Sequence, residues 1–185
     1  CLLSRGLGDV YKRQDKDEIS NYLDPDDEND GVFTVFEHPD PNQDFNPNDA
    51  RDTDQDGTPD YFDLDDDGDG ILTINENADP NSDGNPQDAL DSDRDGTPDY
   101  LDSDDDNDGI PTLDEFAQGI PLDSDNDGVF DYLDTDDDND GIPTDREINL
   151  NSNQILDTDG DGIPNYIDTD DDNDCLLYTS PSPRD

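Results

Sequence analysis

LDSDNDGVFDYLDTDDDNDGIPTDRE, residues Leu122 to Glu147, holds two twelve-residue acidic loops in tandem and little besides. Counted from Asp123, carboxylates fall at positions 1, 3, 5, 9 and 12 as Asp123, Asp125, Asp127, Asp131 and Asp134, with Gly128 at position 6. The frame restarts at Asp136 and returns Asp136, Asp138, Asp140, Gly141, Thr144 and, at position 12, Glu147. At this spacing alternate side-chain oxygens converge on one cation. Glycine permits the sharp turn, position 7 offers its carbonyl, and the acid at position 12 closes the shell, which is the ligand logic of a calcium loop.

The same unit recurs outward from this stretch, with first loops starting at Asp52, Asp91, Asp123 and Asp157, spacings of 39, 32 and 34 residues that suit a tandem array. Each first loop is followed, two residues after it ends, by a second. Toward the N-terminus the pairs are Asp91, Asp93, Asp95, Asp99 and Asp102 with Asp104, Asp106, Asp108, Thr112 and Glu115, and Asp52, Asp54, Asp56, Asp60 and Asp63 with Asp65, Asp67, Asp69, Thr73 and Glu76. Before them, Asp15, Asp17, Asn21 and Asp24 match the end of a first loop, and Asp26, Glu28, Asp30, Gly31, Thr34 and Glu37 make its second. Toward the C-terminus, Asp157, Asp159, Asp161, Asn165 and Asp168 complete a first loop, and Asp170, Asp172 and Asp174 begin another second. Four first and four second loops are thus complete, and eight matches in register make calcium binding at eight or more sites the expected chemistry. The spacers His38 to Ala50 and Ala78 to Ala89 share a D-P-N-x-D-x-N-P-x-D-A pattern, in which Asp40, Asn42 and Asp44, and Asp79, Asn81 and Asp83, are either further ligands or acidic turns.

The two ends read differently. One DNA strand encodes Cys175 to Asp185, and its reverse complement in another frame encodes Ser4 to Gln14. That strand resembles a transposon-end sequencing adapter, so residues 1–14 and 175–185 are expected to be artefactual and residues 15–174 to be an internal fragment. Both cysteines, Cys1 and Cys175, fall in those ends, and no disulfide framework is expected.

Composition sharpens the argument. The formal charge is -49, and Leu, Ile, Val and Phe number 29 of the 160 residues from 15 to 174. Such a chain has the signature of disorder, because its carboxylates repel and too little apolar surface is present to offset chain entropy. A stable fold must draw its free energy from bound cations. With dissociation constants of ~0.1 mM at ~1 mM free calcium, linkage supplies about 1.4 kcal/mol per independent site and roughly 11 kcal/mol for eight. That matches ordinary domain stability and vanishes at cytosolic calcium, so an extracellular or cell-surface location, secreted or at a bacterial outer membrane, is expected. Nucleic acid and anionic membrane are poor partners for such a polyanion, and no apolar run approaches a membrane span.

The expected fold is irregular: a calcium-stabilised tandem repeat, mostly loops and turns with very little helix or strand and no conventional hydrophobic core. EF-hand helices have no room between these loops. Proline at position 8 (Pro59, Pro98, Pro111, Pro143, Pro164) also lacks the N–H that paired EF-hand loops use. One helical turn over Thr112 to Ala117 or Thr144 to Ile148 is the most that follows a second loop. Tyr22-Leu23, Tyr61-Phe62, Tyr100-Leu101, Tyr132-Leu133 and Tyr166-Ile167 all occupy positions 10 and 11 of first loops, as apolar clusters joining successive loops or, more sharply, as a carbohydrate-binding ladder. His38 is the single histidine and reads as an exposed spacer residue. No cleft-forming domain is available for paired catalytic carboxylates, so no enzymatic activity is expected.

The D-x-D-x-D-G-x-x-D-x-x-D first loop followed by D-D-D-N-D-G-I resembles thrombospondin type 3 repeats, in their cysteine-free bacterial form, over essentially all of residues 15–174. The resemblance implies a calcium-wrapped chain with paired ions in an interior of carboxylates, and a bridging role for the second Asp of each DDD (Asp66, Asp105, Asp137, Asp171). The chain departs from animal members in lacking their cysteines, which leaves calcium as its only staple. A calcium-rigidified spacer or stalk of a larger surface protein, adhesive or enzymatic in its flanking domains, is the leading expectation. A flexible calcium-buffering or mineral-associating polyanion is the alternative, and a dockerin-like module is disfavoured by the missing helices.

Overall fold

The computed structural model describes residues 21, 23–149 and 154–173. Asp15, Asp17, Tyr22, Asp174 and both terminal segments lie outside the described residues. The chain forms two units, one ending at Ser103 and the other starting at Asp104.

Every element follows from how the acidic loops turn. Position 4 takes a left-handed φ, between 55° and 69° at Asn29, Gln55, Arg94, Asn107, Asn126, Asn139 and Asn173, a conformation that asparagine tolerates best among non-glycine residues. Position 6 is glycine in every complete loop, with φ from 96° to 105° at Gly31, Gly57, Gly70, Gly96, Gly109, Gly128, Gly141 and Gly162. A side chain would be strained there, so glycine at this place is a backbone requirement. The aspartate at position 5 then accepts from the N–H of position 7 in all of them, at 2.6 to 2.8 Å.

Proline at position 8 fixes an extended φ of -59° to -68° at Pro59, Pro98, Pro111, Pro143 and Pro164, and a single helical turn starts at the next residue. In first loops the 3-10 turns are Asp60–Phe62, Asp99–Leu101, Asp131–Leu133 and Asn165–Ile167. In second loops they are Thr34–Phe36, Thr73–Asn75, Thr112–Glu115 and the one α-helical turn α1, Thr144–Glu147. The expected turns begin at Thr112 and Thr144 but end at Glu115 and Glu147, since Phe116–Ala117 and Ile148 are extended; those inside first loops were not anticipated, because three residues leave no periodicity to read.

Two hairpins were also not anticipated. In the second unit β1 (Phe116–Ala117) pairs antiparallel with β2 (Ile120–Pro121) across Gln118 and Gly119, both at positive φ as a tight hairpin turn requires. The strands β3 (Ile148–Asn149) and β4 (Gln154–Ile155) pair likewise. The spacers at 38–50 and 78–89 instead curl into 3-10 turns at Pro47–Asp49 and Pro86–Asp88.

The interior is acidic. Among the described residues five apolar side chains are buried against eighteen carboxylates, so the fold is loop-rich and irregular with no conventional hydrophobic core. In the first unit Val32, Ala78 and Tyr100 form a small cluster flanked by Ala89 and Leu101. The ring of Phe33 lies where a Cβ would stand on Gly84, and the Phe33 N–H donates to the Gly84 carbonyl at 2.9 Å. In the second unit Tyr132 stacks between Phe116 and Phe130 at 5.7 and 5.8 Å. Tyr100 with Leu101, Tyr61 with Phe62, and Tyr132 thus pack against apolar neighbours, while Leu23 is exposed. His38 is exposed too, at a positive φ of 55°.

Candidate metal centre

Several aspartates at positions 3 and 5 divide their two oxygens between two tasks, whereas Asp26 and Asp157 at position 1 accept through both. One oxygen closes a turn. Position 3 accepts from the N–H of position 5, as in Asp54 to Asp56 at 2.9 Å, Asp67 to Asp69 at 3.1 Å and Asp138 to Asp140 at 3.0 Å. Position 1 accepts from further along, as Asp26 does from Asn29 and Gly31, and Asp157 from Gly160 and Gly162. Position 12 of a first loop accepts from the N–H that begins the second, at Asp24, Asp63, Asp134 and Asp168. The other oxygen is left for a ligand. The Oδ2 atoms of Asp30, Asp67, Asp69, Asp106 and Asp138 are buried and receive no hydrogen bond.

Position 9 works as a brace. Asp60, Asp99 and Asp131 are 1 to 3 % exposed, and each accepts from the N–H and hydroxyl of the residue at position 2, Thr53, Ser92 or Ser124. Asn165 accepts from the Thr158 N–H through its amide oxygen and donates from its amide nitrogen to the Thr158 hydroxyl. In second loops the hydroxyls of Thr34, Thr73, Thr112 and Thr144 accept from the N–H of Asp27, Asp66, Asp105 and Asp137 at 3.2 to 3.3 Å. Sequence spacing placed all of these among the ligands; their hydrogen bonds give each a second role in holding positions 2 and 9 together.

Carboxylate oxygens converge within 4.8 Å of one another in several groups. Asp26, Glu28 and Asp30 form one and Asp52, Asp54 and Asp56 another, each inside a single loop. Asp40, Asp44 and Asp49 meet in the first spacer. In the second spacer Asp79 and Asp83 accept from Gly84 and Asn85, and Asn81 donates to Asp88 at 2.9 Å.

One group crosses between loops far apart in sequence. Asp30, Glu37 and Asp66 come together, with Asp66 supplied by the next second loop. Glu37 is 0 %, Asp30 1 % and Asp66 2 % exposed, and both oxygens of Asp66 lack a hydrogen-bond donor. In the second unit burial raises both Glu115 and Asp137, and charge repulsion adds to it, from Asp108, Asp106 and Asp137 at Glu115 and from Asp108 and Asp106 at Asp137. Asp171 meets Glu147 in turn, beside Asp138 and Asp140. The position-2 aspartate of a second loop therefore reaches back to its predecessor, which spacing within one loop cannot reveal. Asp27 occupies the same position and is buried, and its place before Glu28 was the signal for it.

The electrostatics agree with an interior waiting for cations. Burial, then neighbouring carboxylates, pushes Glu115 up to about 11, Asp66 to about 10 and Asp137 to about 9. Burial raises Asp67 and Asp106 to about 8, and Asp30 and Asp138 to about 7. Glu28 and Glu37 are raised as well, first by burial and then, at Glu28, by the charge of Glu37 beside it. Ionised carboxylates are not buried at this density unless neutralised. Several oxygens per cluster and no nitrogen or sulfur ligand specify a hard cation. The residues present fit a metal ion.

No protein-family model matches the chain, and no curated protein is significantly similar to it. Among the described residues no helix is long and apolar enough to cross a membrane.

Proposed function

We propose that the chain is a calcium-folded spacer, built of thrombospondin type 3-like repeats, within a larger secreted or cell-surface protein. The observation that carries this reading is the group of Asp30, Glu37 and Asp66, where buried carboxylates from two successive second loops each keep an oxygen without a donor and lie within ligand reach of one another. An ion held there ties one repeat to the next, so binding and folding are a single process. Calcium is the cation of choice because it accepts six to eight oxygens in loose geometry, whereas magnesium demands a near-ideal octahedron and keeps its waters.

The role is structural. Ion binding fixes the path of a chain that otherwise repels itself, and holds whatever the parent protein carries on either side. Folding of this kind calls for millimolar calcium, which an extracellular setting supplies. Small-angle scattering at matched ionic strength tests this: sharp contraction on raising calcium from chelator to ~1 mM, absent with equal magnesium, is the expected result. A chain equally expanded in both conditions would be a flexible acidic polymer, and the spacer reading would be lost.

A further inference from the structure

Among the described residues three carry a basic side chain, and one of them is built into the acidic interior. Arg146 is 73 % exposed and Arg94 is also exposed, whereas Arg51 is 29 % exposed. Its Nε pairs with Asp60, whose carboxylate is 1 % exposed, its guanidinium donates to the Tyr100 hydroxyl, and its Nη2 is buried without an acceptor. Arg51 stands just before the first loop at Asp52. The same place before the other first loops is filled by Leu90, Leu122 and Leu156.

The backbone at this place does one thing in all four cases. Its carbonyl accepts from the N–H of position 9, at 3.0 Å for Arg51, Leu90 and Leu122 and 2.9 Å for Leu156. What differs is the side chain alone. Asp60 acts electrostatically on Asp30, Glu37 and Asp66, and Arg51 opposes that repulsion at Asp66. Around Leu122 the corresponding carboxylates Asp106, Asp108 and Asp131 act on Glu115 and Asp137 with no base among the main influences on either.

We infer that Arg51 is a resident cation at the Asp30–Glu37–Asp66 junction, one that weakens calcium binding there and keeps that junction associated when calcium is withdrawn. The inference rests on the calcium reading above. A fixed positive charge repels a divalent ion at short range inside a poorly screened interior, and the same charge offsets carboxylate repulsion when the ion is gone. The junction with arginine is then the least calcium-demanding of the array, and those with leucine are governed by the metal alone.

Hydrogen exchange read peptide by peptide across a calcium titration of the full chain tests this, since each segment reports its own midpoint. In Arg51→Leu, peptides covering 28–37 and 60–66 are expected to reach half-protection at about tenfold lower free calcium and to lose their excess protection in chelator. In Leu122→Arg, peptides covering 104–115 and 131–137 are expected to shift about tenfold the other way. Arg51→Lys, which keeps the charge, is expected to leave the midpoint within about threefold of wild type. Unchanged midpoints in both Arg51→Leu and Leu122→Arg, or loss of protection at saturating calcium in Arg51→Leu, would overturn the inference while leaving calcium folding intact. Absence of calcium-dependent protection in every segment of the wild type would overturn both.

Discussion

A single methylene or oxygen decides much in this chain, because so few groups hold it together. Gly57 has open space around it yet sits at φ 100°, so Gly57→Ala strains the backbone without a clash. It is expected to cost about 1–3 kcal/mol of the calcium-bound fold, visible as a lowered Tm at fixed calcium. Asp66→Asn tests the reach between loops: it keeps shape and removes charge from a site whose partners are Asp30 and Glu37. Calcium affinity at that junction is expected to fall about tenfold or more, and calorimetry is the measurement. Thr112→Val removes the acceptor of a buried N–H, that of Asp105. The cost expected is about 1–3 kcal/mol, and Thr112→Ser should restore most of it; denaturant midpoints at constant calcium read both.

At the level of elements, what was legible was whatever lies within twelve residues. The oxygens at positions 1, 3 and 5, the turn at glycine and the absence of regular helices all follow from local spacing, since each turn is closed by a side chain two to five residues from its donor. The hairpins at Phe116–Pro121 and Ile148–Ile155 were missed because a two-residue strand carries no alternation to detect. The junction aspartates were only implied by resemblance. That Asp66 meets Glu37 rather than its own loop's Glu76 depends on how the loops stack, and burial of a carboxylate leaves no mark in composition. Arg51 leaves no mark for the same reason: a lone base between the spacer and the loop at Asp52 carries no spacing to read.

For the molecule as a whole, proton and metal compete for the same oxygens. The buried carboxylates of Asp69, Asp137, Asp66 and Glu115 have folded-state values raised above their ordinary 3.8 or 4.5, to about 6, 9, 10 and 11. The sign follows: without metal, the folded state holds protons more tightly than the unfolded chain, so acid favours the compact form. The penalty is absent below pH 4 or so, grows as the pH rises through the raised values and is complete above them. In chelator the chain is therefore expected to contract on acidification toward pH 4 and to expand between pH 5 and 9 or so, while at ~1 mM calcium its size stays constant over the neutral range. Scattering or gel filtration across pH, with and without calcium, gives the comparison. Equal pH profiles in the two conditions would show that the clusters hold no metal.

The meeting of Asp30 and Glu37 with Asp66 makes an ion there a reversible cross-link, closing a stretch of 36 residues between Asp30 and Asp66 in a segment of chain that contains no cysteine. Closing a loop of that length restrains the unfolded chain by about 4 kcal/mol in the entropic account used for disulfides, and a chelator rather than a reductant undoes it. The closed stretch contains Phe45, 97 % exposed and open to chymotrypsin. A chain nicked there is expected to migrate as one particle while calcium is bound and as two fragments once it is stripped.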